Sequence, residues 1–311
     1  MSYCIYILVG PGDATIRRTS DMLESFWHFA PANQIVDCYL VADNCLSLDS
    51  VQTWLDKFQT LHVIPNPLSN SSASINDRVT AGTLTAIGAI SSASTEYDFV
   101  LKLDDDALVI GDFFYRLKTL FSSNSQIGKV GTLHHFPDGA ERPGLKSWAP
   151  KVEAATSLSS AFREFRRTIR GQRSNSTLMA GFKRFKVRSM ARTHGYTPGL
   201  HVQGGSYALS FDCVRSIKNQ WPDAFLFNHT GLGEDVTLSL LCMSVGFELL
   251  NYNQTDEVFG IWWRTPTLSP TELVNRNYAI IHSLKYEDAN KEVDVRKFFK
   301  DTRLKSPDSI A

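Results

Sequence analysis

The sequence predicts an α/β fold in which a mostly parallel central sheet is flanked by helices. Over the first 135 of the 311 residues, short apolar runs alternate with segments of helical spacing, which is typical of consecutive β-α-β units. Several apolar runs end at turn residues or carboxylates, and ligands of such sheets collect at the carboxyl ends of strands. With 43% hydrophobic and 21% charged residues, the chain is globular rather than disordered, collagen-like or coiled-coil.

The individual elements follow from the periodicity. Strands are predicted at the short apolar runs 5–9, 35–41, 61–64, 99–103 and 129–133. Helices are predicted between them, where apolar residues recur every three or four positions, at 16–29, 50–58, 77–92 and 113–121. Later regular structure is predicted at 202–210, 212–219, 235–244 and 247–250, of which the second and third are helices and the last is a strand. Residues after 250 show no clear period and are predicted to be irregular.

These patterns divide the chain into four parts. The alternating α/β half covers residues 1–135, a basic insertion covers 136–200, a second half covers 201–303, and 304–311 is predicted to be a tail.

Net charge is zero overall but uneven along the chain. Residues 151–200 hold eleven Lys or Arg against two Glu, a local charge of +9, and the other residues carry −9. The cations at 163–192 are interleaved with phenylalanines. They form either a solvated insertion or a surface for an anionic partner, such as a lipid-linked diphosphate acceptor or an anionic membrane. No nucleic-acid partner is expected, because the whole chain is far from basic and has no nucleic-acid motif.

Cysteine usage and the N-terminal residues indicate a compartment. The five cysteines are far apart, none forms a C-x-x-C pair, and they lie in apolar stretches, which favours buried thiols in a reducing environment. The first ten residues lack a basic stretch, and no run of about 18 apolar residues occurs without charge. We therefore expect a cytoplasmic protein, with a peripheral membrane contact as the alternative role of 163–192.

Three adjacent aspartates, Asp104, Asp105 and Asp106, follow the predicted strand 99–103. Neighbouring carboxylates repel one another unless a cation lies among them, and alternation along an extended backbone points Asp104 and Asp106 the same way. Oxygen ligands of this kind suit Mg²⁺ or Mn²⁺, which bridge the phosphates of a nucleotide. The alternative is a solvated turn or helix cap, where aspartate is also common. Asn44, which follows the strand 35–41, is predicted to bind the same ligand.

Three later motifs add possible chemistry. Glu234 and Asp235 open a predicted helix, either as stabilisers of its N-terminus or with one of them as a general base. Gly204 and Gly205 precede a strand and either allow close approach to a ligand or form only a turn. His282 lies in an apolar run, where a core histidine is the commoner interpretation.

The order of these motifs resembles a known family. A strand followed by Asp-Asp-Asp, then Gly-Gly-x-Tyr-x-Leu-Ser, then Glu-Asp-Val before a helix, and a late histidine is similar to the fringe and β1,3-galactosyl/N-acetylglucosaminyltransferase family. Members are inverting, metal-dependent glycosyltransferases of the GT-A fold. The segment 76–80, which contains Arg78, is similar to the family's Asn-Leu-Thr helix start. The resemblance covers 61–135 and 200–250 together with the N-terminal strand–helix units, about two-thirds of the chain.

The resemblance implies a role for each matching residue. Asp106 and His282 would bind Mn²⁺ or Mg²⁺ together with Asp104, while Asp104 and Asp105 would contact the nucleotide sugar or a metal-bound water. Asp235 would be the catalytic base. The nucleotide-sugar ligand, most simply a UDP-sugar, would also contact a set of residues in the two halves: Asn44, Arg78, Gly204 and Gly205.

The implied reaction transfers a sugar to a hydroxyl of a glycan or lipid-linked acceptor. In that case residues 1–135 form the nucleotide-sugar half and 201–303 the acceptor half. The sequence departs from the family in three ways. Gly82 and Thr83 stand where a basic residue is usual, and the insertion 136–200 has no counterpart in the family pattern. The N-terminal membrane anchor of the animal members is not expected here. The alternatives are a metal-dependent nucleotidyl- or phosphoryl-transfer enzyme and an inactive GT-A module that binds sugar nucleotides.

Overall fold

The computed structural model describes residues 2–42, 49–69, 71–170, 179–223, 225–285 and 289–305. Within them the strands form one sheet of seven and one sheet of three strands. The larger sheet contains, in chain order, β1 (Ser2–Val9), β2 (Ile35–Ala42), β3 (Thr60–Pro65), β4 (Val100–Asp104), β6 (Ile127–Gly131), β7 (Ser206–Leu209) and β8 (Glu248–Asn251). The smaller sheet contains β5 (Leu108–Val109), β9 (Phe259–Ile261) and β10 (Ile280–His282).

The order of strands in the large sheet is β3-β2-β1-β4-β7-β6-β8. Strand β7 runs antiparallel to both of its neighbours, and all other neighbouring pairs are parallel. The predicted α/β class with a mostly parallel sheet is therefore confirmed. Because β7 lies between β4 and β6, the part of the chain after residue 200 completes the sheet that the first 135 residues begin.

Helices cover both faces of this sheet. They are α1 (Asp13–Phe29), α2 (Gln52–Leu55, after a 3₁₀ turn at Asp49–Val51), α3 (Ile75–Ser91), α4 (Phe114–Ser123), α5 (Gly144–Thr156), α6 (Leu158–Ile169), α7 (Ala180–Thr193), α8 (Phe211–Gln220), α9 (Glu234–Ser244), α10 (Pro270–Asn275) and α11 (Ala289–Lys305). Alternate residues of β1 enter different cores: Tyr6 packs with residues of α3, α8 and α9, whereas Tyr3 and Ile5 pack with residues of α1 and α4. Burial on both faces explains the continuous apolar runs of the sequence.

The insertion is helical and joined to the body. Helix α7 packs on α5, α6 and α9. Two of its arginines, Arg184 and Arg188, are buried and pair with Glu164 and Glu153. Part of the basic charge of this segment is thus neutralised inside the fold.

The prediction of irregular structure after residue 250 is wrong. The chain there forms β9, α10, β10 and α11. Three-residue strands are too short to show a period, and α11 is mostly charged, with Val295 and Phe299 as its fully packed apolar residues. Ion pairs such as Arg18–Glu292 and Arg296–Asp21 hold α11 against α1. Of the predicted tail 304–311, α11 includes the first two residues, and the remainder lies outside the described residues.

No helix in the described ranges is both long enough and apolar enough to cross a membrane.

Candidate metal and catalytic site

The aspartates lie at the switch point of the large sheet, where the strand order reverses. From β1 the chain continues outward through β2 and β3, and then returns to β4 on the other side of β1. Asp104, at the end of β4, stands beside Leu8 of β1. Crevices at the carboxyl ends of two such strands are the usual ligand sites of open α/β sheets.

Asp104, Asp106 and His282 form one cluster here. Each offers a ligand atom, and these atoms all lie within 4.8 Å of one another. Nε2 of His282 is 3.0 Å from Oδ1 of Asp106 and 3.7 Å from Oδ2 of Asp104. Two carboxylates and an imidazole are a donor set that suits Mn²⁺ well, and in the described residues one oxygen of the adjacent Asp105, Oδ2, is buried without a hydrogen-bond partner. The residues present therefore fit a divalent metal.

The small sheet brings His282 to the aspartates. Strand β10 pairs with β5, which begins two residues after Asp106, and the amide of Leu284 donates to the carbonyl of Asp106 at 3.2 Å. This contact joins positions far apart in the sequence. It explains how a histidine in an apolar run lies beside acidic groups rather than in a core.

Gly205 makes room for the imidazole. Its φ is +96°, and a Cβ at this position would lie 2.3 Å from the ring of His282. Its carbonyl accepts from the amide of Asp104 at 2.9 Å. Gly205 therefore packs directly against the Asp104–Asp106–His282 group, on its histidine side.

We expect Gly205→Ala to damage the cluster. The methyl group must displace the ring of His282, and an L-residue at this φ is strained, so the free energy of unfolding should fall by about 1–3 kcal/mol and Mn²⁺ affinity by about tenfold. Thermal denaturation and a Mn²⁺ titration measure the two effects. Gly195→Ala is the matched control, because Gly195 has a φ of +84° with nothing near its missing Cβ. Equal Mn²⁺ affinities for the two variants would contradict the packing role.

Charges around the cluster favour ionised aspartate and protonated histidine. Burial would raise the pKa of Asp106, but His282 and Lys285 lower it below its ordinary value. Burial would lower the pKa of His282, but Asp106 and Asp104 raise it. Burial and the neighbouring Asp106 raise the pKa of Asp105 despite its ion pair with Lys285 at 2.8 Å. A divalent cation would replace the positive charge of the His282 proton.

Two lysines that the sequence analysis did not single out complete the surroundings. Lys285 is 47% exposed and lies beside Asp105 and Asp106. Lys102 is buried and pairs with Asp104 at 2.9 Å. A lysine inside an apolar strand two residues before Asp104 was a visible signal for the second of these, since alternate residues share a face.

Glu234 has a structural role. Its Oε1 accepts from Nζ of Lys102 at 2.8 Å, and its Oε2 accepts from the hydroxyl of Tyr207 at 2.7 Å. The Tyr207 hydroxyl in turn lies 2.5 Å from that of Tyr6. Both oxygens of Glu234 are therefore held by buried donors, and the carboxylate links Lys102 of β4 to Tyr207 of β7.

The side chain of Asp235 is 14% exposed. Oδ1 accepts from the amide of Val236, and Oδ2 accepts from the amide of Gly204 at 3.1 Å. Because Gly204 binds Asp235 and Gly205 packs on His282, two adjacent residues connect the carboxylate to the metal cluster.

Three cationic or imidazole groups, His201, Lys129 and Arg142, surround Asp235. Burial would raise the pKa of Asp235, but the positive charges of His201 in its protonated form, Lys129 and Arg142 lower it below its ordinary value. Arg142 donates to Nε2 of His201 at 2.8 Å, so Nδ1 carries the imidazole proton and donates to the carbonyl of Gly199. Burial lowers the pKa of His201 to about 4, so its ring is neutral near pH 7. The positive charges that remain near Asp235 at pH 7 are those of Lys129 and Arg142, and no local sequence pattern indicated either residue.

The segment similar to the Asn-Leu-Thr helix start holds the loop before Asp235. Asn76 donates to the carbonyl of Gly231, Asp77 accepts from the amide of Gly231, and Thr80 donates to the carbonyl of Leu232. The start of α3 thereby fixes the N-terminus of α9.

Arg78 lies at a different part of the crevice. With Asn66, Leu8 and Val41 it lines a cavity of about 110 Å³ at the ends of β1 and β2. Nε of Arg78 is buried and has no hydrogen-bond partner within the described part of the chain. Gly82, one turn further along α3, lets the helix pack closely on β2, because a Cβ at this position would lie 3.1 Å from the side chain of Val41. Asn44, the other predicted contact from this end of the sheet, lies outside the described residues.

Comparison with known proteins adds no relative. No protein-family model matches the chain, and a search of curated proteins finds no match.

Proposed function

We propose that this protein is a divalent-metal-dependent glycosyltransferase of the GT-A type that uses a nucleotide-sugar donor. The observation that carries the proposal is the Asp104–Asp106–His282 cluster at the switch point of the sheet, joined through Gly204 and Gly205 to the ionised Asp235. A metal-ligand set and a separate, partly exposed carboxylate are two parts that a metal-dependent, inverting sugar transfer uses.

Each group then has a task. Asp104, Asp106 and His282 would hold Mn²⁺ or Mg²⁺, which would supply positive charge to offset the negative charge that develops on the leaving diphosphate. Lys285 adds a half-exposed positive charge beside the cluster. Asp235 accepts the proton of the attacking acceptor hydroxyl. With Glu234 occupied by Lys102 and Tyr207, Asp235 acts alone, which favours one displacement with inversion at the anomeric carbon.

The donor half of the crevice supports a nucleotide. The cavity at the ends of β1 and β2 is lined by aliphatic side chains together with Asn66 and Arg78, which suits a base or ribose next to the metal-bound phosphates. UDP is the nucleotide expected from the family resemblance, and the acceptor is a glycan or lipid-linked hydroxyl. The described cysteines, Cys4, Cys38, Cys213 and Cys242, are buried thiols, which supports a cytoplasmic location as part of this proposal.

Metal binding should weaken as the pH falls. In the metal-free protein the proton of His282 is stabilised by Asp106 and Asp104, so its pKa is above the ordinary 6.5. That interaction stabilises the fold fully below pH 6.5 and is lost as the pH rises through the raised pKa. A metal ion must displace this proton, so we expect Mn²⁺ affinity to fall on the order of tenfold per pH unit below the raised pKa.

Calorimetric Mn²⁺ titrations across this range check the expected slope. His282→Gln is the control and should bind weakly with a flatter pH dependence. A wild-type affinity that does not change with pH would contradict the role of His282 as a ligand.

A panel of UDP-, GDP- and CMP-sugars with Mn²⁺ tests the proposed function without an acceptor. The expected result is slow hydrolysis of at least one UDP-sugar to free sugar and UDP, which stops when EDTA removes the metal. Release of nucleoside monophosphate would instead indicate the nucleotidyl- or phosphoryl-transfer alternative. Saturable binding with no turnover of any donor would indicate an inactive sugar-nucleotide-binding module.

A further inference from the structure

We propose that the outer face of helices α6 and α7 binds the surface of an anionic lipid bilayer. This face, called the α6–α7 face below, consists of an apolar line on α6, the side chains Met179 and Phe182 next to it, and the exposed cations of the two helices. It lies in the insertion and includes none of the residues of the candidate site, so the inference does not rest on the proposed function.

The apolar line comes from helical spacing. Leu158, Phe162, Phe165 and Ile169 follow one another at intervals of four, three and four residues, which places them along one side of α6. Leu158 is 42%, Phe162 49% and Ile169 67% exposed. Three large apolar side chains in one row on a single helix are unusual for an ordinary protein surface.

Helix α7 extends the apolar line. The ring of Phe182 lies edge-on to those of Phe162 and Phe165, with centroids 5.5 and 6.4 Å away. Met179, just before α7, is 56% exposed. The apolar surface therefore spans two packed helices and does not belong to one frayed segment.

Cations border the apolar line on both helices. They are Arg163, Arg166 and Arg170 on α6 and at its end, and Lys183 and Lys186 on α7, all of them exposed. In the part of the chain that the structure describes, none of these five pairs with a carboxylate.

The acidic groups of the insertion are used elsewhere. Glu164 binds Arg184, and Glu153 binds Arg188 and Arg192. These contacts leave the α6–α7 face with positive charge that nothing in the described residues offsets.

An anionic bilayer accounts for both the exposed apolar row and the cations beside it. An apolar row inserts at the acyl boundary, while arginine and lysine beside it reach the phosphate groups. A polyanion such as a nucleic acid would account for the cations but not for the exposed row of leucine, phenylalanine and isoleucine. Helix α6, with twelve residues, is too short to span a bilayer, so the contact is with its surface.

Flotation of the full chain with lipid vesicles tests the proposal. We expect the protein to float with vesicles of phosphatidylcholine mixed with phosphatidylserine, and much less with phosphatidylcholine alone. The variant Phe162→Ser/Ile169→Ser should lose about tenfold in affinity for the mixed vesicles, and Arg163→Gln/Arg166→Gln should lose about as much at low salt.

Matched controls change similar side chains elsewhere. Val293→Ser removes a 62% exposed apolar residue of α11, and Lys57→Gln/Lys297→Gln removes two exposed cations, so both should bind like the wild type. Circular dichroism and thermal denaturation in the absence of vesicles verify that the α6–α7 variants keep the fold. Negligible wild-type binding to both vesicle types, or wild-type affinity in both α6–α7 variants, would overturn the proposal.

Discussion

Replacing Asp106 by asparagine is expected to lower Mn²⁺ affinity by at least about 100-fold while the fold is retained. Asparagine preserves the shape of the side chain but removes the negative charge that both His282 and a metal ion require. Titration calorimetry with Mn²⁺ alone measures the effect and needs neither donor nor acceptor.

The neighbouring residue provides the control for this variant. Asp105 lies outside the three-residue cluster and pairs with Lys285, so Asp105→Asn should weaken Mn²⁺ binding by no more than about tenfold. If Asp106→Asn binds Mn²⁺ as tightly as the wild type, Asp106 is not a metal ligand.

The second large effect is expected for Asp235→Asn. Asparagine keeps an acceptor for the amide of Gly204 but cannot take a proton, so donor turnover should fall by about 10²–10⁴-fold with unchanged affinity for UDP and Mn²⁺. Slow hydrolysis of the active UDP-sugar and separate UDP titrations measure the two properties.

The adjacent carboxylate should respond in the opposite way. Glu234→Gln weakens the buried contacts with Lys102 and Tyr207, so the free energy of unfolding should fall by about 1–3 kcal/mol, with a smaller effect on turnover than that of Asp235→Asn. Wild-type turnover in Asp235→Asn would end its assignment as the base. A greater loss of turnover in a folded Glu234→Gln variant would transfer the role to Glu234.

The sequence predicts the large sheet well because its strands are apolar on both faces. Strands β1, β2 and β4 appear as runs ended by a turn or by carboxylates, and their positions differ from prediction by a few residues at the ends. The small sheet was missed for a physical reason: β9 and β10 have three residues each, and they are stabilised by pairing with one another rather than by a local pattern.

In the candidate site too, residues with a local sequence pattern were predicted, and residues that depend on contacts between distant segments were not. Asp104 and Asp106 were selected from the sequence because adjacent carboxylates at a strand end favour a bound cation, whereas His282 entered through the family resemblance and meets them only through β10. His201 and Arg142 could not be found, since their significance depends on a contact between distant segments.

The basic insertion shows what a sum of charges omits. The local +9 of residues 151–200 counts Arg184 and Arg188, which are buried and form ion pairs with glutamates, together with Arg163 and Arg166, which are exposed. The sum already subtracts Glu153 and Glu164, but it does not show that these two pair with Arg184, Arg188 and Arg192 while five exposed cations lie together on the α6–α7 face.

One measurement tests the central claim most directly: titration of UDP into the wild-type protein with Mn²⁺ and again with EDTA. We expect saturable binding with Mn²⁺ and an affinity at least tenfold lower with EDTA, equivalent to about 1.4 kcal/mol or more. Such a difference supports a metal held by Asp104, Asp106 and His282 that binds the nucleotide diphosphate. Equal UDP affinity in the two solutions, or no binding in either, would contradict it.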